Sequence, residues 1–183
     1  APAGDGMKDV SDVVLLAYDV NGNLLDGFPM ELTGYTEKDE PRTGADTSNG
    51  GSTTETSTKC LTKTIKLFYG DYYLIAVANM GEYSDGGSGK INVDKTTMQA
   101  FNELESAQYN TLDALRKLRR EWKTDNFRNN REMCGYFVDK ADKTASNPSA
   151  SGDFQTVHVD REGMTLRTWM RRLASKVTVD FDG

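Results

Sequence analysis

The chain has 183 residues, enough for one large domain or two very small ones, and 37% of them are hydrophobic, more than wholly disordered proteins contain. Its formal net charge at pH 7 is −6, so the chain as a whole lacks the basic surface that nucleic-acid binding requires. No stretch resembles a membrane span, and the opening segment APAGDGMKDV lacks the pattern of a signal peptide. We expect one soluble domain over residues 1–183, with any export signal already removed.

The first predicted element is a strand over residues 12–20, DVVLLAYDV, which is apolar at nearly every position. A strand with this pattern is covered on both faces. Asn21 and Gly22 follow directly, and because an Asn-Gly pair readily adopts positive φ angles, it predicts a type I′ turn. Residues 23–30 should then run back antiparallel to the first strand. The glycine-rich residues 1–8 are expected to be a disordered lead-in.

The same turn has a second interpretation, because Asp19, Asn21 and Asn23 have the spacing that opens an EF-hand calcium loop. That loop needs Gly at its sixth position and Glu at its twelfth, where this sequence has Leu24 and Met30. The hairpin turn is therefore favoured over a calcium site.

A long polar segment follows. Residues 36–59 are almost free of apolar side chains and rich in Thr, Ser, Gly and Asp, so they predict a mobile surface loop. Alternation of apolar and polar residues resumes over residues 60–69 and predicts a strand. Its inward-facing residues would be Leu61, Ile65, Leu67 and Tyr69.

A second hairpin is predicted next. Gly70 and Asp71 mark its turn, and residues 72–79 form a strand that is apolar on both faces. Residues 81–89 are rich in glycine but lack the spacing of a phosphate-binding loop, so we expect an ordinary flexible loop.

A helical insertion is predicted over about residues 95–123, because the period of the apolar residues lengthens there. The residues that carry this period are Met98, Phe101, Leu104, Leu112, Leu115, Leu118 and Trp122. A break near Asn110 and Thr111 predicts two helices, the second one capped at its start. The second helix is basic through Arg116, Lys117, Arg119, Arg120 and Lys123. Acidic residues lie nearby in the sequence, so a solvated face is favoured over one that binds nucleic acid or lipid.

The last third of the chain predicts three strands, over residues 133–139, 154–160 and 164–181, with a mobile loop over residues 140–153. Glu162 and Gly163 mark the turn before the last strand. At roughly 3.3 Å per residue that strand would span about 60 Å, so it must bend, cross between two sheets, or lead out of the domain.

The residues that most often carry chemistry are few and scattered. His158, the single histidine, lies inside a predicted strand without partners for catalysis or metal binding, so it is interpreted as a surface or packing residue. Cys60 and Cys134 also lie in predicted strands, and both a disulfide and two free thiols remain open. No catalytic, cofactor-binding or metal-binding motif is present, so the sequence selects no residues for these roles and does not favour an enzyme.

Four segments, taken together and in their order along the chain, point to a known family. They are VVLLAYDVNGNLLDGF, GDYYLIAVANMG, MCGYFV and RRLASKVTVDF. Taken together they resemble the fimbrillin superfamily of Bacteroidales, the subunits of surface pili that assemble by donor-strand exchange. The last segment is the most telling, since fimbrillins typically end their N-terminal domain with an Arg followed by a small-residue-Lys-Val strand.

The resemblance implies a mainly β fold: a transthyretin-like β-sandwich of about seven strands with the helical insertion, and no cofactor. It also implies a lipoprotein displayed on the outer membrane, anchored through the N-terminus of its precursor. The chain looks like an N-terminal domain that a second β-sandwich domain follows. The implied partners are other fimbrial subunits, through strand exchange, and host or bacterial surface ligands.

In polymerising fimbrillins an Arg-specific protease removes the first strand, and a strand of the next subunit fills the groove. The first arginine here is Arg42, after the first predicted hairpin rather than before it, so a tip, anchor or adhesin subunit fits as well as a stalk subunit. A strand apolar on both faces suits such exchange, and it also suits an ordinary internal strand of a monomeric sandwich. The alternative function is a surface module that binds carbohydrate or another ligand, with Tyr35, Tyr83 or Trp169 as exposed stacking platforms.

Overall fold

The structure, a computed structural model, is mainly β, with antiparallel sheets and two short α-helices. It describes residues 10–34, 36–41, 57–86, 91–119, 132–139, 154–168 and 170–172. The strands in this part of the chain are β1 (Val13–Tyr18), β2 (Met30–Glu31), β3 (Thr36–Pro41), β4 (Ser57–Thr62), β5 (Gly70–Ala78), β6 (Glu82–Asp85), β7 (Ile91–Lys95), β8 (Met133–Asp139), β9 (Val157–Val159), β10 (Leu166–Thr168) and β11 (Arg171–Arg172). The helices are α1 (Thr97–Asn102) and α2 (Leu112–Lys117), with a 3₁₀ turn, Ser106–Gln108, between them.

The main sheet is antiparallel and is centred on β5. Its strand order is β10-β8-β5-β1-β2, with β9 also pairing with β5 and β11 also pairing with β8. β1 and β5 pair over six positions, from Val13 opposite Ala78 to Tyr18 opposite Tyr73. The described residues form two more ladders outside this sheet, β3 with β4 and β6 with β7.

Both faces of the central strands are buried, as their apolar patterns predict. On one face Val14, Leu16 and Tyr18 pack in a cluster with Phe101 of α1 and Leu112 of α2. On the other face Leu15, Ala17, Leu74 and Val157 form a second cluster, which the segments between strands cover. The predicted burial of β1 and β5 on both faces is confirmed.

The helical insertion is confirmed but shorter than predicted, since Lys95 ends β7 and residues 118 and 119 are not helical. The predicted break near Thr111 lies where the second helix starts. The Thr96 side chain accepts from the backbone N–H of Gln99, and the Gln99 side chain accepts from the backbone N–H of Thr96, which forms a capping box for α1. Thr111 caps α2 by accepting from the backbone N–H of Ala114. Trp122 lies outside the described residues.

The first hairpin exists, but its turn differs from the predicted type I′ turn. The carbonyl of Asp19 accepts from the N–H of Gly22 at 2.9 Å, and the N–H of Asp19 donates to the carbonyl of Asn23 at 2.9 Å. Gly22 has a φ of 79°, whereas Asn21 is not among the described residues with a positive φ. The loop is therefore one residue longer, a β-turn followed by a left-handed glycine. The returning chain pairs with β1 only at an isolated bridge between Tyr18 and Leu24 and again at β2.

The prediction of a loop over residues 36–59 is wrong at both of its ends, which form the β3–β4 ladder. Thr36 lies opposite Thr62, and Pro41 lies opposite Ser57. The sequences of residues 36–41 and 57–59 are polar throughout, so they have no apolar alternation that would indicate a strand. Residues 42–56 lie outside the described part of the chain.

The second predicted hairpin is also wrong. β4 ends at Thr62 and pairs with β3, so it does not turn into β5. Gly70 and Asp71 are the first residues of β5 rather than a turn. Ile65 and Leu67 pack against the core as expected, but the Tyr69 side chain, which was predicted to face inward, is 64% exposed.

The glycine-rich segment after β5 contains β6 where a flexible loop was predicted. At Gly81 a Cβ atom would lie 1.7 Å from the carbonyl oxygen of Lys95, because the two chains of the β6–β7 ladder approach closely there. Gly81 is therefore required for a close backbone contact within a ladder. The sequence alone does not distinguish such a glycine from one in a flexible loop.

The predicted strands late in the chain are present. β8 has the predicted bounds, whereas β9 is shorter than the predicted strand over residues 154–160 and lies in its second half. After Gly163, which has a φ of 67°, β10 and β11 both pair with β8. Thr168 lies opposite Phe137, and Arg171 lies opposite Cys134. The two pairs are three residues apart on each strand, so β10 and β11 pair with β8 in the same register. The predictions for residues 1–8, 140–153 and 173–181 fall outside the described residues.

Candidate functional site

The candidate site is β1 with the contacts that hold it in the sheet. Five consecutive side chains of this strand are at most 2% exposed: Val14, Leu15, Leu16, Ala17 and Tyr18. Full burial of one large apolar side chain contributes about 1.5–3 kcal/mol. An empty β1 position would therefore expose a groove on each side of the sheet and unpair one edge of β5.

The outer edge of β1 is covered less completely than its inner edge. β2 supplies only two pairs, Leu15 with Met30 and Val14 with Glu31. The backbone N–H groups of Leu32 and Leu25 donate to the carbonyls of Val13 and Ala17, each at 2.9 Å. β5 is thus the main partner of β1, because it pairs with the strand along its whole length.

The start of β1 is held by the side chain of Asp12. One carboxylate oxygen accepts from the backbone N–H of Thr97 at 3.1 Å, and the other accepts from the hydroxyl of Tyr83 at 3.0 Å. Tyr83 lies on β6 and Thr97 is the first residue of α1. Burial raises the pKa of the Tyr83 hydroxyl, so this group stays a donor at ordinary pH.

Two further polar residues complete this network beside Asp12. The buried Asn79 accepts from the backbone N–H of Ser11 through its side-chain oxygen at 2.8 Å. Its own backbone N–H donates to the carbonyl of Asp12 at 3.4 Å. The buried hydroxyl of Thr97 accepts from the backbone N–H of Met80 at 2.9 Å and lies 3.4 Å from the Tyr83 hydroxyl. Residues 11 and 12 are thereby joined to β6, α1 and the end of β5.

The end of β1 is held by Tyr18. Its fully buried side chain donates from the hydroxyl to the carbonyl of Tyr109 at 2.7 Å. Burial raises the pKa of this hydroxyl as well. Sequence analysis selected β1 but missed these anchors, because Asp12 and Tyr18 meet partners 85 and 91 residues away in the sequence.

Of the three aromatic residues predicted to be exposed stacking platforms, the one that the structure describes is not exposed. The Tyr83 side chain is buried, and Tyr35 and Trp169 lie outside the described residues. Two surface clefts in the described part of the chain have no aromatic residue in their lining. The most exposed aromatic side chains described are those of Phe68, at 88%, and Tyr69, at 64%.

His158 is on the surface, as one of its two interpretations predicted. Its Nδ1 atom lies 2.7 Å from a carboxylate oxygen of Asp71, on the neighbouring strand of the sheet. The part of the chain that the structure describes contains no group of three potential metal ligands.

The basic residues of the second helix are solvated, as predicted, over the part that is described. Lys117 pairs with Asp113 at 2.6 Å, and the Arg116 guanidinium lies 5.3 Å from the centre of the Phe154 ring. The Arg119 side chain donates to nearby backbone carbonyls. Arg120 and Lys123 lie outside the described residues.

Cys134 is a free thiol. Of the two alternatives for the cysteines, the structure therefore does not contain the disulfide between Cys60 and Cys134. Burial raises the pKa of the Cys134 thiol from 9.0 to about 11. A thiol with so high a pKa is a poor nucleophile at neutral pH, because the thiolate is the reactive form.

Searches with protein-family models, against curated proteins and against solved structures found no match to this chain. None of the helices in the described ranges has the length and hydropathy that crossing a bilayer requires. The function is therefore argued from β1 and its contacts.

Proposed function

We propose that the protein is a structural subunit or adhesin of a cell-surface fimbria that assembles by donor-strand exchange, and that it has no catalytic role. The single observation that carries this proposal is that β1 is buried on both faces at the N-terminal end of the described chain. The resemblance of four segments to fimbrillins supports it. The finer fold belongs to the same proposal: a transthyretin-like β-sandwich, an N-terminal domain that a second domain follows.

The chain order makes β1 separable from the rest of the sheet. β1, β2 and β3 all precede Arg42, whereas the strands that stay paired without them, β5, β8, β9, β10 and β11, all follow it. A cut between β3 and β4 would sever the covalent link between the two sets, which would then be joined by hydrogen bonds and packing, including the β3–β4 ladder. The part that follows the cut would keep the ladders of β5 with β8 and β9.

A strand donated by another subunit could replace β1 by two kinds of contact. Its backbone would pair with the freed edge of β5, and alternate side chains would enter the two clusters on either side of the sheet. Positions 14, 16 and 18 define the side chains needed on the helical face, and positions 15 and 17 define those on the opposite face. In this proposal the protein lies at the outer membrane, with other fimbrial subunits as its partners.

The test uses the protein with its natural flanking segments and an Arg-specific protease. We expect SDS-resistant ladders after cleavage and none before it. The matched control is Arg42→Lys, which keeps the positive charge and removes the cleavage site; it should form no ladder. A wild-type protein that forms no ladder in either condition would overturn the stalk-subunit proposal.

A competing peptide tests which groove is used. A peptide of residues 10–20 should suppress the ladder, because it refills the position of β1. The same peptide with Leu16→Asp should not, since an aspartate would be placed at a position that is fully buried. Equal suppression by both peptides would show that the groove of β1 is not the acceptor site.

The second candidate is a surface module that binds carbohydrate or another ligand, and the exposure of Phe68 and Tyr69 favours it. Binding to a panel of surface glycans that is lost in a Phe68→Ala, Tyr69→Ala variant with unchanged fold would support it. Retention of all binding by that variant would argue against these two side chains as the platform.

A further inference from the structure

We propose that Asp12, Tyr83 and Thr97 form a latch that sets how fast β1 leaves the sheet. The latch deepens the proposed function. Its effect on the release of the N-terminal segment rests on that proposed function, whereas its effect on the local opening of β1 in the intact chain does not.

The latch bonds are additional to the sheet ladder. β1 pairs with β5 through its own backbone from Val13 onward, whereas the latch acts through the side chain of the preceding residue, Asp12. Its two carboxylate oxygens reach two different elements, α1 through Thr97 and β6 through Tyr83. A strand end held only by exposed backbone bonds frays readily, but this end is tied to groups outside the sheet.

The partners of Asp12 are buried, which makes the latch slow to open. Thr97 is fully buried and the Tyr83 side chain is 8% exposed. If Asp12 moves away, the Tyr83 hydroxyl and the Thr97 N–H lose their carboxylate acceptor, and the Thr97 hydroxyl, 3.4 Å from the Tyr83 hydroxyl, is a poorer replacement for one of them. A donor that loses a strong acceptor in a largely buried place is unfavourable, so a state with β1 half withdrawn is disfavoured.

The latch also joins the two parts of the chain that a cut would separate. Asp12 and Ser11 belong to the segment before Arg42, and Asn79, Tyr83 and Thr97 all belong to the part that stays. Cleavage alone would therefore leave the latch closed. The nicked protein would keep β1 until the latch opens or a competing strand displaces it, and the fragment leaves once the β3–β4 ladder has separated as well.

The test places a site for a sequence-specific protease within residues 42–56 of the otherwise complete chain. After cleavage, release of the N-terminal fragment is followed by size-exclusion chromatography in the presence of excess peptide of residues 10–20. Tyr83→Phe keeps the ring and removes only the hydroxyl, and we expect it to release the fragment about tenfold faster than the wild type, since it removes one hydrogen bond to a carboxylate. Asp12→Ala should act in the same direction and more strongly.

The matched control is Tyr72→Phe, because it makes the same chemical change elsewhere. The hydroxyl of Tyr72 donates to the carbonyl of Phe68 at 2.9 Å, and both residues lie after the cut. This variant should release the fragment at the wild-type rate. Equal acceleration by Tyr72→Phe and Tyr83→Phe would mean a general loss of stability and would overturn the latch.

Hydrogen exchange of the uncut protein separates the latch from the proposed function. In Tyr83→Phe the amides of residues 13–15 should exchange faster, while those at the far end of β1 should be unaffected. Unchanged exchange at residues 13–15 would overturn the latch. If the fragment never leaves the nicked wild type or any variant, the proposed removal of β1 is wrong. The hydrogen-exchange result at residues 13–15 would still test the latch in that case.

Discussion

The hydroxyl of Tyr18 and the backbone carbonyl of Tyr109 form a hydrogen bond of 2.7 Å that ties the end of β1 to the helical insertion. The ring of Tyr109 in turn packs edge-on against Phe101 of α1, with the ring centres 5.4 Å apart. The insertion is thus part of the wall that encloses β1. Asp12 forms the corresponding contact at the other end of the strand.

Tyr18→Phe should lower the free energy of unfolding by about 1–2 kcal/mol, because the carbonyl of Tyr109 loses a buried donor. The control Tyr72→Phe removes a hydroxyl from an exposed hydrogen bond and should cost no more than about 0.5 kcal/mol. Urea unfolding followed by circular dichroism gives both values. Equal losses would contradict the role of the Tyr18 hydroxyl as an anchor.

Phe101→Ala should cost about 3–5 kcal/mol, because it leaves a cavity between α1 and the sheet. The matched substitution Phe68→Ala, at a side chain that is 88% exposed, should change the stability by less than about 0.5 kcal/mol. The same unfolding measurement compares the two variants. A loss well above this value at Phe68 would show that its ring is packed in solution.

Cys134 should react slowly with thiol reagents in the folded protein. Burial raises the pKa of its thiol from 9.0 to about 11, so its thiolate fraction near pH 8 falls about 100-fold. The measurement is the rate of labelling in a Cys60→Ser variant, where Cys134 is the single cysteine, with and without denaturant. Rapid labelling of the folded protein would contradict the burial of this thiol.

Asp19 should make the stability of the fold depend on pH in the acid range. The backbone N–H of Asn23, and further donors in the same turn, hold the pKa of the Asp19 carboxyl below its ordinary 3.8. Because the folded-state pKa is lower than the unfolded one, the stabilisation is present above about pH 4 and is lost as the pH falls through the folded-state pKa.

Unfolding midpoints measured between about pH 5 and pH 2.5 test this dependence. Asp19→Asn should reduce the loss of stability across this range, since it removes the charge. Val20→Ala changes the same turn without removing a carboxylate and should keep the wild-type pH dependence. If Asp19→Asn loses as much stability as the wild type on acidification, the carboxylate does not contribute.

The elements that could be predicted from the sequence are those whose burial leaves a pattern. β1, β5 and β8 are apolar enough to be recognised, and α2 has both a helical period and the capping Thr111. β3 and β6 were missed, and β4 was predicted only from Cys60 onward, for the opposite reason. These strands lie outside the main sheet, and their sequences are mostly polar, which is typical of loops.

The candidate site could be predicted only in its local part. The apolar run of β1 indicates a strand that is buried on both faces and that would leave a groove if it were withdrawn. This inference needs no knowledge of the fold. The latch is different, because Asp12 meets Tyr83 and Thr97 only after β5, β6 and α1 have assembled. No spacing within the sequence distinguishes Asp12 from the other aspartates. Tyr69 shows the same limit, since its exposure follows from where β4 ends.

The pairing of β1 with β5 has a consequence for the way in which the protein is made. β1 is synthesised first among the described strands, and β2, β3 and β4 all follow before its main partner β5 begins at Gly70. Throughout that interval the nascent chain contains an apolar segment whose main pairing partner has not yet been made. Such segments are the ones that chaperones bind and that aggregate when left uncovered. The residues between β2 and β5 are mostly polar, so they add little to this exposed apolar surface, and shielding of β1 is needed until β5 has been made.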